Sequence, residues 1–392
     1  MNTVVIGAGL AGLTAALKLR EAGVEVTLVT KGIGGLQLGQ GTVDVLGYTP
    51  DRVTNPADAL DQLIESEPTH PYAKIGADAV ADGIDFISDV MGGALEGDMS
   101  SNFQLPTAVG AIRPTALAPS TMVAGNCTDG AKFVIAGPWQ LKDFYPKLVA
   151  ENLSRTKLAG GGRIEAVAAS FSLPARVGES DSTALNYARA LDRPEYRATF
   201  INAVRPHVRE GYALGLPAFL GHREPGVFED IQSALGVPVF EIPIPPPGVP
   251  GMRMNETLTA AAKKARVRIM MGAEVTGGQV EDGKLTGVTV NSAGQEAVLP
   301  ADSVVLAGGG FESGCLHLDS YGLASERIFN LPLQGTDIPE PTHGDYWGDP
   351  QPVFRIGVAV DDDMRPVDAS GTPVYPNLYL SLIHISEPTR LL

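Results

Sequence analysis

Cysteine is almost absent from this chain. Cys127 and Cys315 stand far apart and no C-x-x-C occurs, so the spacing encodes neither an iron–sulfur cluster nor a structural zinc site. No metal site is expected, and two such thiols read as reduced and buried in a cytoplasmic protein. Positive charge is also short. Lys and Arg number 29 against 45 Asp and Glu, a net charge of −16, and no basic stripe or RNA-binding signature appears, which argues against nucleic acid as a partner. A local basic pocket can still sit in an acidic protein. No apolar run reaches the ~20 residues that a membrane-spanning helix needs, so any membrane association is expected through a partner. The apolar N-terminus lacks a basic leader and is broken by glycines, which argues against a signal peptide.

What is present begins at the N-terminus. The 392 residues allow two or three domains, or one large α/β domain with an insertion. Val4, Val5 and Ile6 form an apolar, β-branched run that reads as a buried parallel strand. Gly7, Ala8, Gly9, Leu10, Ala11 and Gly12 follow and fit G-x-G-x-x-G. A helical pattern with Leu13, Leu17 and Leu19 runs to Gly23, and residues 24–29 read as a second strand. In such a β–loop–helix–β unit Gly7 permits the tight turn, Gly9 lets a pyrophosphate approach the backbone and Gly12 lets the helix pack close to the sheet. The helix N-terminus offers its N–H groups and dipole to phosphate. The alternative is a glycine-rich turn in some other α/β sheet. The second strand ends in Thr30 and Lys31, where a dinucleotide site usually has Asp or Glu on a ribose hydroxyl. Thr30 can bond a ribose and Lys31 can meet a phosphate, so nucleotide binding is expected, and ordinary NAD binding less so.

A second glycine-rich stretch follows. Gly39, Gln40, Gly41 and Thr42, with Asp44 behind, read either as a loop over a cofactor or as a surface loop; its place directly after the second strand favours the cofactor. Residues 55–95 read as helical, broken at His70, which reads either as a proton-transfer group or, before Pro71, as a structural turn residue, the commoner case. Strands are expected at 107–113 and 132–136, a helix at 139–153, a strand at 163–171, and helix again to Arg209. His222 and Arg223 follow an apolar run, 215–220, and read either as an anion-binding or proton-moving pair at a strand end or as a solvated loop. Residues 237–251, with prolines at 238, 243, 245, 246, 247 and 250, read as polyproline II crossing between domains. That segment leads into Arg253, a candidate for gripping an anionic substrate or an ordinary surface arginine. Met254–Lys264 reads as helix, 267–271 and 274–276 as strands with Val275 counted among the cofactor contacts, and 284–290 and 296–299 as a hairpin pair. Asp302–Ala307 reads as another buried parallel strand. Ala307, Gly308 and Gly309 then let a cofactor pass close to backbone.

Two glycine-rich strand ends bracketing an insertion resemble the flavoproteins related to fumarate reductase. Within them the chain is similar to the B-type family of anaerobic glycerol-3-phosphate dehydrogenase subunits, over most of residues 1–380. The resemblance rests on residues 7–12, Thr30-Lys31 where relatives carry Thr-Arg, residues 41–44, His70-Pro71-Tyr72, residues 245–253 and the turn at 307–310. It implies an α/β fold: a Rossmann-like FAD/NAD(P)-binding domain at 1–91 and 251–380, with an inserted α+β substrate-side domain at 92–250. It also implies a flavin cofactor, FMN by family and FAD by motif, and oxidation of sn-glycerol 3-phosphate to dihydroxyacetone phosphate. Electrons would pass to quinone through a membrane-bound, C-type iron–sulfur partner. A homologous, catalytic A-type flavoprotein would stand beside this chain, which would lie peripheral on the inner face of the membrane. His222, Arg223 and Arg253 are the catalytic candidates. Electron relay or assembly without catalysis, and a soluble fumarate-reductase-like enzyme, are the alternatives. Residues 381–392, His384 among them, resemble translated sequencing adapter rather than protein, and a flavin-binding strand and closing helix are expected in their place.

Overall fold

The computed structural model describes residues 1–338, 340–344 and 351–381. The suspected tail from residue 382, with His384, lies outside the described residues. The elements that position the candidate site run in this order: β1 (Asn2–Ile6), α1 (Leu10–Glu21), β2 (Glu25–Thr30), β3 (Phe103–Pro106), β4 (Ile112–Thr115), β5 (Lys132–Pro138), α2 (Pro146–Arg155), β6 (Glu165–Phe171), α3 (Ala184–Leu191), α4 (Pro194–Val204), β7 (Ala213–Pro217), α5 (Val227–Leu235), β8 (Val239–Ile242), α6 (Val249–Lys264), β9 (Arg268–Met271), β10 (Ala273–Glu281), β11 (Lys284–Ser292), β12 (Gln295–Pro300), β13 (Ser303–Leu306) and β14 (Leu378–Leu380). They fall into two compact units.

The first unit takes in Met1–Gly35, Leu60–Gly83 and the chain from Thr257 on. Its sheet is ordered β9-β2-β1-β13-β14 with every pair parallel. In chain order that is 3-2-1-4-5, the Rossmann-like arrangement in which strand order reverses beside the first strand. The continuous apolar run of β1 is explained by burial on both faces: Val4 and Val5 are fully buried. Val4, Ile6, Val304 and Leu306 share a core with Val275, Leu285, Val288 and Val290 of the antiparallel sheet β10-β11-β12. Helix α1 buries Leu13, Ala16 and Leu17, the i, i+3, i+4 stripe of its sequence. The described residues contain no helix long and apolar enough to cross a membrane.

The second unit takes in Leu36–Ala59 and Ile84–Glu256, a wider span than the 92–250 insertion expected from sequence. Its main sheet, β8-β7-β5-β6, is also wholly parallel. In chain order it reads 4-3-1-2, a second doubly wound layout, accompanied by antiparallel pairs such as β3-β4. Phe133 of β5 and Phe240 of β8 meet edge to face with centroids 4.9 Å apart in its core.

Three expectations about elements need correction. The proline-rich stretch is not one polyproline segment. Residues 239–242 are the fully buried strand β8, and Pro238 and Pro243 flank it without taking a donor from the ladder; the Pro238 carbonyl itself accepts the Leu214 N–H at 2.8 Å. Helix α6 then starts at Val249, with Pro250 in its first turn, where the missing N–H costs nothing. Of the strand expected at 107–113, residues 107–111 are instead a hairpin turn, closed by Gly110 N–H on the Thr107 carbonyl at 2.9 Å, and only Ile112 and Arg113 belong to a strand, β4. The helix expected from 139 begins only at Pro146, the one position in that run where proline favours helix.

Candidate functional site

In the first unit β1 and β13 are neighbours, Thr3 opposite Ser303 through Ile6 opposite Leu306. Their glycine-rich carboxyl ends therefore lie side by side at the strand reversal, where ligands of such sheets bind. Gly7 has φ +109°, and a Cβ on it would stand 2.2 Å from the Ala307 carbonyl oxygen. A Cβ on Gly12 would stand 2.0 Å from the Gly7 carbonyl oxygen. Gly9 is different: a Cβ there would meet nothing within 4 Å. It is the N-cap of α1, no side chain caps the helix, and the first helical hydrogen bond runs from Leu13 N–H to the Gly9 carbonyl at 3.0 Å. The N–H groups of Leu10 and Ala11 thus precede the helix's own hydrogen bonding, at the positive end of its dipole. Gly34, outside the G-x-G-x-x-G motif, packs against the Ala8 carbonyl.

Thr30 is buried, and its hydroxyl donates to the Gly32 carbonyl. Lys31 is exposed and pairs with Glu274 at 3.1 Å, which places it beside the buried Val275 at the start of β10. Ala307 N–H donates to the Ile6 carbonyl at 2.9 Å, and the Ser313 hydroxyl donates to the carbonyls of Gly308 and Gly310. Gly309 follows in a left-handed conformation. His70 caps the short helix Pro71–Ile75, its Nδ1 accepting the Tyr72 N–H at 3.0 Å. Burial pushes both cysteine thiols up to about 12.

In the second unit the remaining candidates gather on the first turns of α6. Gly248 N–H donates to the Gln37 carbonyl at 2.9 Å. Gly251 lies so close to the loop that a Cβ would stand 2.1 Å from the Leu36 carbonyl oxygen and 2.6 Å from that of Gly39; Gly41 packs on Pro250. One residue that the motif reading missed completes this loop. Arg113 of β4 donates to the Gln40 side chain at 2.9 Å and the Thr42 hydroxyl at 3.3 Å, and pairs with Asp44.

The next turn of α6 carries Arg253 and Glu256. Arg253 pairs through both Nη atoms with Glu241 of β8, at 2.6 and 3.1 Å, and its Nε donates to the Gly221 carbonyl at 3.0 Å. The Glu241 side chain is fully buried and also accepts from the Thr121 hydroxyl and the Leu220 N–H, each at 2.7 Å. His222 lies 3.6 Å from Glu256 and Arg223 lies 3.0 Å from the same oxygen. Burial draws the His222 pKa below its ordinary value; Glu256 opposes that and Arg223 adds to it. His222 and Arg223, adjacent in sequence, thus form one cluster with the distant Arg253, and α6 joins it within about one helical turn, ~5.4 Å, to the 39–42 loop.

Residues 2–379 match the family model for the FAD binding domain. The chain belongs to the FAD-binding family. This FAD-binding chain is 30% identical, over 96% of its own length and 90% of the relative's, to the B-type subunit of anaerobic glycerol-3-phosphate dehydrogenase from Pectobacterium atrosepticum. It is 31% identical, at the same coverage, to the probable B-type subunit of that name from Halobacterium salinarum. Among solved structures it is similar to a 3-ketosteroid Δ1-dehydrogenase from Sterolibacterium denitrificans in complex with 1,4-androstadiene-3,17-dione (TM-score 0.36, 15% identity, 79% of this chain, 48% of the other). It is also similar to a flavocytochrome c3 fumarate reductase in an open conformation (TM-score 0.35, 16% identity, 79% and 34%). The chain spans half or less of each of those two.

The cofactor of this FAD-binding chain is a flavin, and the residues present fit one. The open space before Gly9, with uncapped N–H groups behind it, suits a pyrophosphate, which FAD carries. Among the described residues no group of three or more His, Cys, Asp or Glu side chains could hold a metal ion.

Proposed function

We propose that the chain is the B-type subunit of a flavin-dependent, quinone-linked sn-glycerol-3-phosphate dehydrogenase that forms dihydroxyacetone phosphate in anaerobic glycerol catabolism. The observation that carries this reading is the ligand-ready turn at Gly9, set where the strand order reverses, in a chain that covers 90% of relatives bearing that enzyme's name. A bound flavin supplies a two-electron acceptor for the hydride leaving C2 of the substrate. The chain's residues do the rest. His222 takes the proton of the C2 hydroxyl oxygen as the hydride leaves C2, and the C–O bond becomes a carbonyl. Arg223, whose side chain is 72% exposed, meets the substrate phosphate in exchange for Glu256. Arg253 holds Gly221 in place and so aims the 221–223 loop. Residues 7–12, Thr30, Lys31, Val275 and 307–309, all in the first unit, hold the cofactor.

The partners of this reading are a homologous A-type flavoprotein and a membrane-bound, C-type iron–sulfur protein, which passes electrons to quinone. The chain would then sit on the inner face of the membrane through those partners. A second reading, electron relay or assembly, is favoured by one observation: each arginine of the cluster already has a carboxylate, Glu241 for Arg253 and Glu256 for Arg223. A relay protein needs no phosphate grip.

The visible spectrum of the flavin-loaded protein, recorded anaerobically before and after glycerol 3-phosphate, separates these readings. Bleaching supports oxidation within this chain. Flavin that stays oxidised supports relay beside the A-type partner. A protein that takes up neither FAD nor FMN supports an assembly role.

A further inference from the structure

His222 is placed more carefully than a surface loop requires. Its side chain is only 4% exposed, and its Nε2 has no hydrogen-bond partner among the described residues. Leaving a buried polar nitrogen unpartnered costs about 1–3 kcal/mol, so such a group calls for an explanation. Its backbone is pinned from two sides. The Asp192 carboxylate, at the end of α3, accepts three consecutive N–H groups, from His222 at 2.8 Å, Arg223 at 3.2 Å and Glu224 at 3.4 Å. Arg253 holds the preceding Gly221 carbonyl. The nearest carboxylate to Nε2 is Glu256 at 3.6 Å, beyond the ~2.7–3.2 Å of a hydrogen bond. At that distance a neutral imidazole gains little from Glu256, whereas an imidazolium gains a charge pair.

We propose that Glu256 is the positioning residue for His222, and that the two form a dyad in which Glu256 stabilises the proton that His222 accepts from the substrate hydroxyl. This rests on the proton-accepting role given to His222 above. The charged groups that face the imidazole agree with the division of labour. Glu256 on α6 and Asp192 at the end of α3 favour the charged form. Arg223 in the same loop and Arg189 on α3 oppose it, and burial opposes it most. The resting imidazole is therefore neutral at pH 7, the form that accepts a proton. Arg223 shares the Glu256 oxygen, so a phosphate that draws Arg223 away leaves Glu256 to the imidazolium.

The test uses the flavin-loaded protein with 15N-labelled histidine. Only six histidines are present, and His222→Gln identifies the resonance. Glu256→Gln is expected to lower the His222 pKa, to move the acid limb of kcat/KM down with it, and to reduce kcat more than it changes KM. Arg223→Gln is expected to move the same resonance the other way. A His222 titration that neither variant moves overturns the dyad. A titration that moves while the acid limb stays in place overturns the assignment of that proton to the substrate step. Wild-type protein that titrates as described but does not oxidise glycerol 3-phosphate overturns the reaction of the preceding subsection and leaves the pairing standing.

Discussion

Gly7 and Ala307 meet backbone to backbone, with room for no side chain on the glycine: a Cβ there would stand 2.2 Å from the Ala307 carbonyl oxygen. Three hundred residues apart in sequence, they fix the two glycine turns against each other at the strand reversal. The contact separates two kinds of glycine in one motif. Gly7 serves the fold, and in the proposed function Gly9 serves the cofactor.

Gly7→Ala is expected to lose flavin and stability together. The positive φ alone costs about 1–3 kcal/mol for a residue with a Cβ, and the atom it would strike is backbone. Gly9→Val, with open space before it, is expected to leave the unfolding midpoint of the flavin-free protein unchanged while weakening FAD binding by about tenfold or more, the equivalent of ~1.4 kcal/mol. Thermal melts and flavin titration on both variants check this.

Removing Arg253 strands a carboxylate. Glu241 is fully buried, and Arg253 is its cationic partner. Arg253→Ala is expected to destabilise the protein by about 3–5 kcal/mol, read from denaturant unfolding. Arg253→Lys keeps the charge but loses the two-pronged pairing and is expected to fall between.

Stability is expected to decline below neutrality partly through His222. Its folded pKa lies below that of the unfolded chain, so between the two the unfolded state binds more protons and stability rises with pH. The contribution is complete above the unfolded value of about 6.5. It is lost as pH falls toward and through the folded value, with a slope of at most ~1.4 kcal/mol per pH unit. His222→Gln should flatten that part of the stability–pH curve.

Neither cysteine is expected to react with a thiol reagent at pH 8 in the folded protein. Both are buried, with thiols pushed up to about 12, and only the thiolate is nucleophilic. Denaturant should expose two reactive thiols per chain.

The first unit was legible because its signals are local: a β-branched run, glycines at fixed offsets and a helix with an apolar i, i+3, i+4 stripe are set by contacts each segment makes with its own sheet. The neighbouring of the turn at 7–12 with that at 307–309 needed only the topology that the motif implies. The second unit was harder. Prolines at 238 and 243 hid a buried strand, because a proline's effect on a ladder depends on which side its nitrogen faces. Glu241, Asp192, Glu256 and Arg113 could not be singled out, since a charged residue in a strand or helix carries no mark of the partner that buries it. His222, Arg223 and Arg253 stood out only by following an apolar run or a rigid segment; their meeting on α6 is a product of the fold.

The pairing of β1 with β13 has a consequence during synthesis. Thr3 waits for Ser303, an interval of about 15–60 s at typical ribosomal rates of roughly 5–20 residues per second. In the second unit the four parallel strands all lie between Lys132 and Ile242, so that sheet can close while the ribosome is still making the first unit. Until β13 emerges, the nascent chain carries β1 with one edge open, an apolar strand that nascent-chain chaperones are suited to cover.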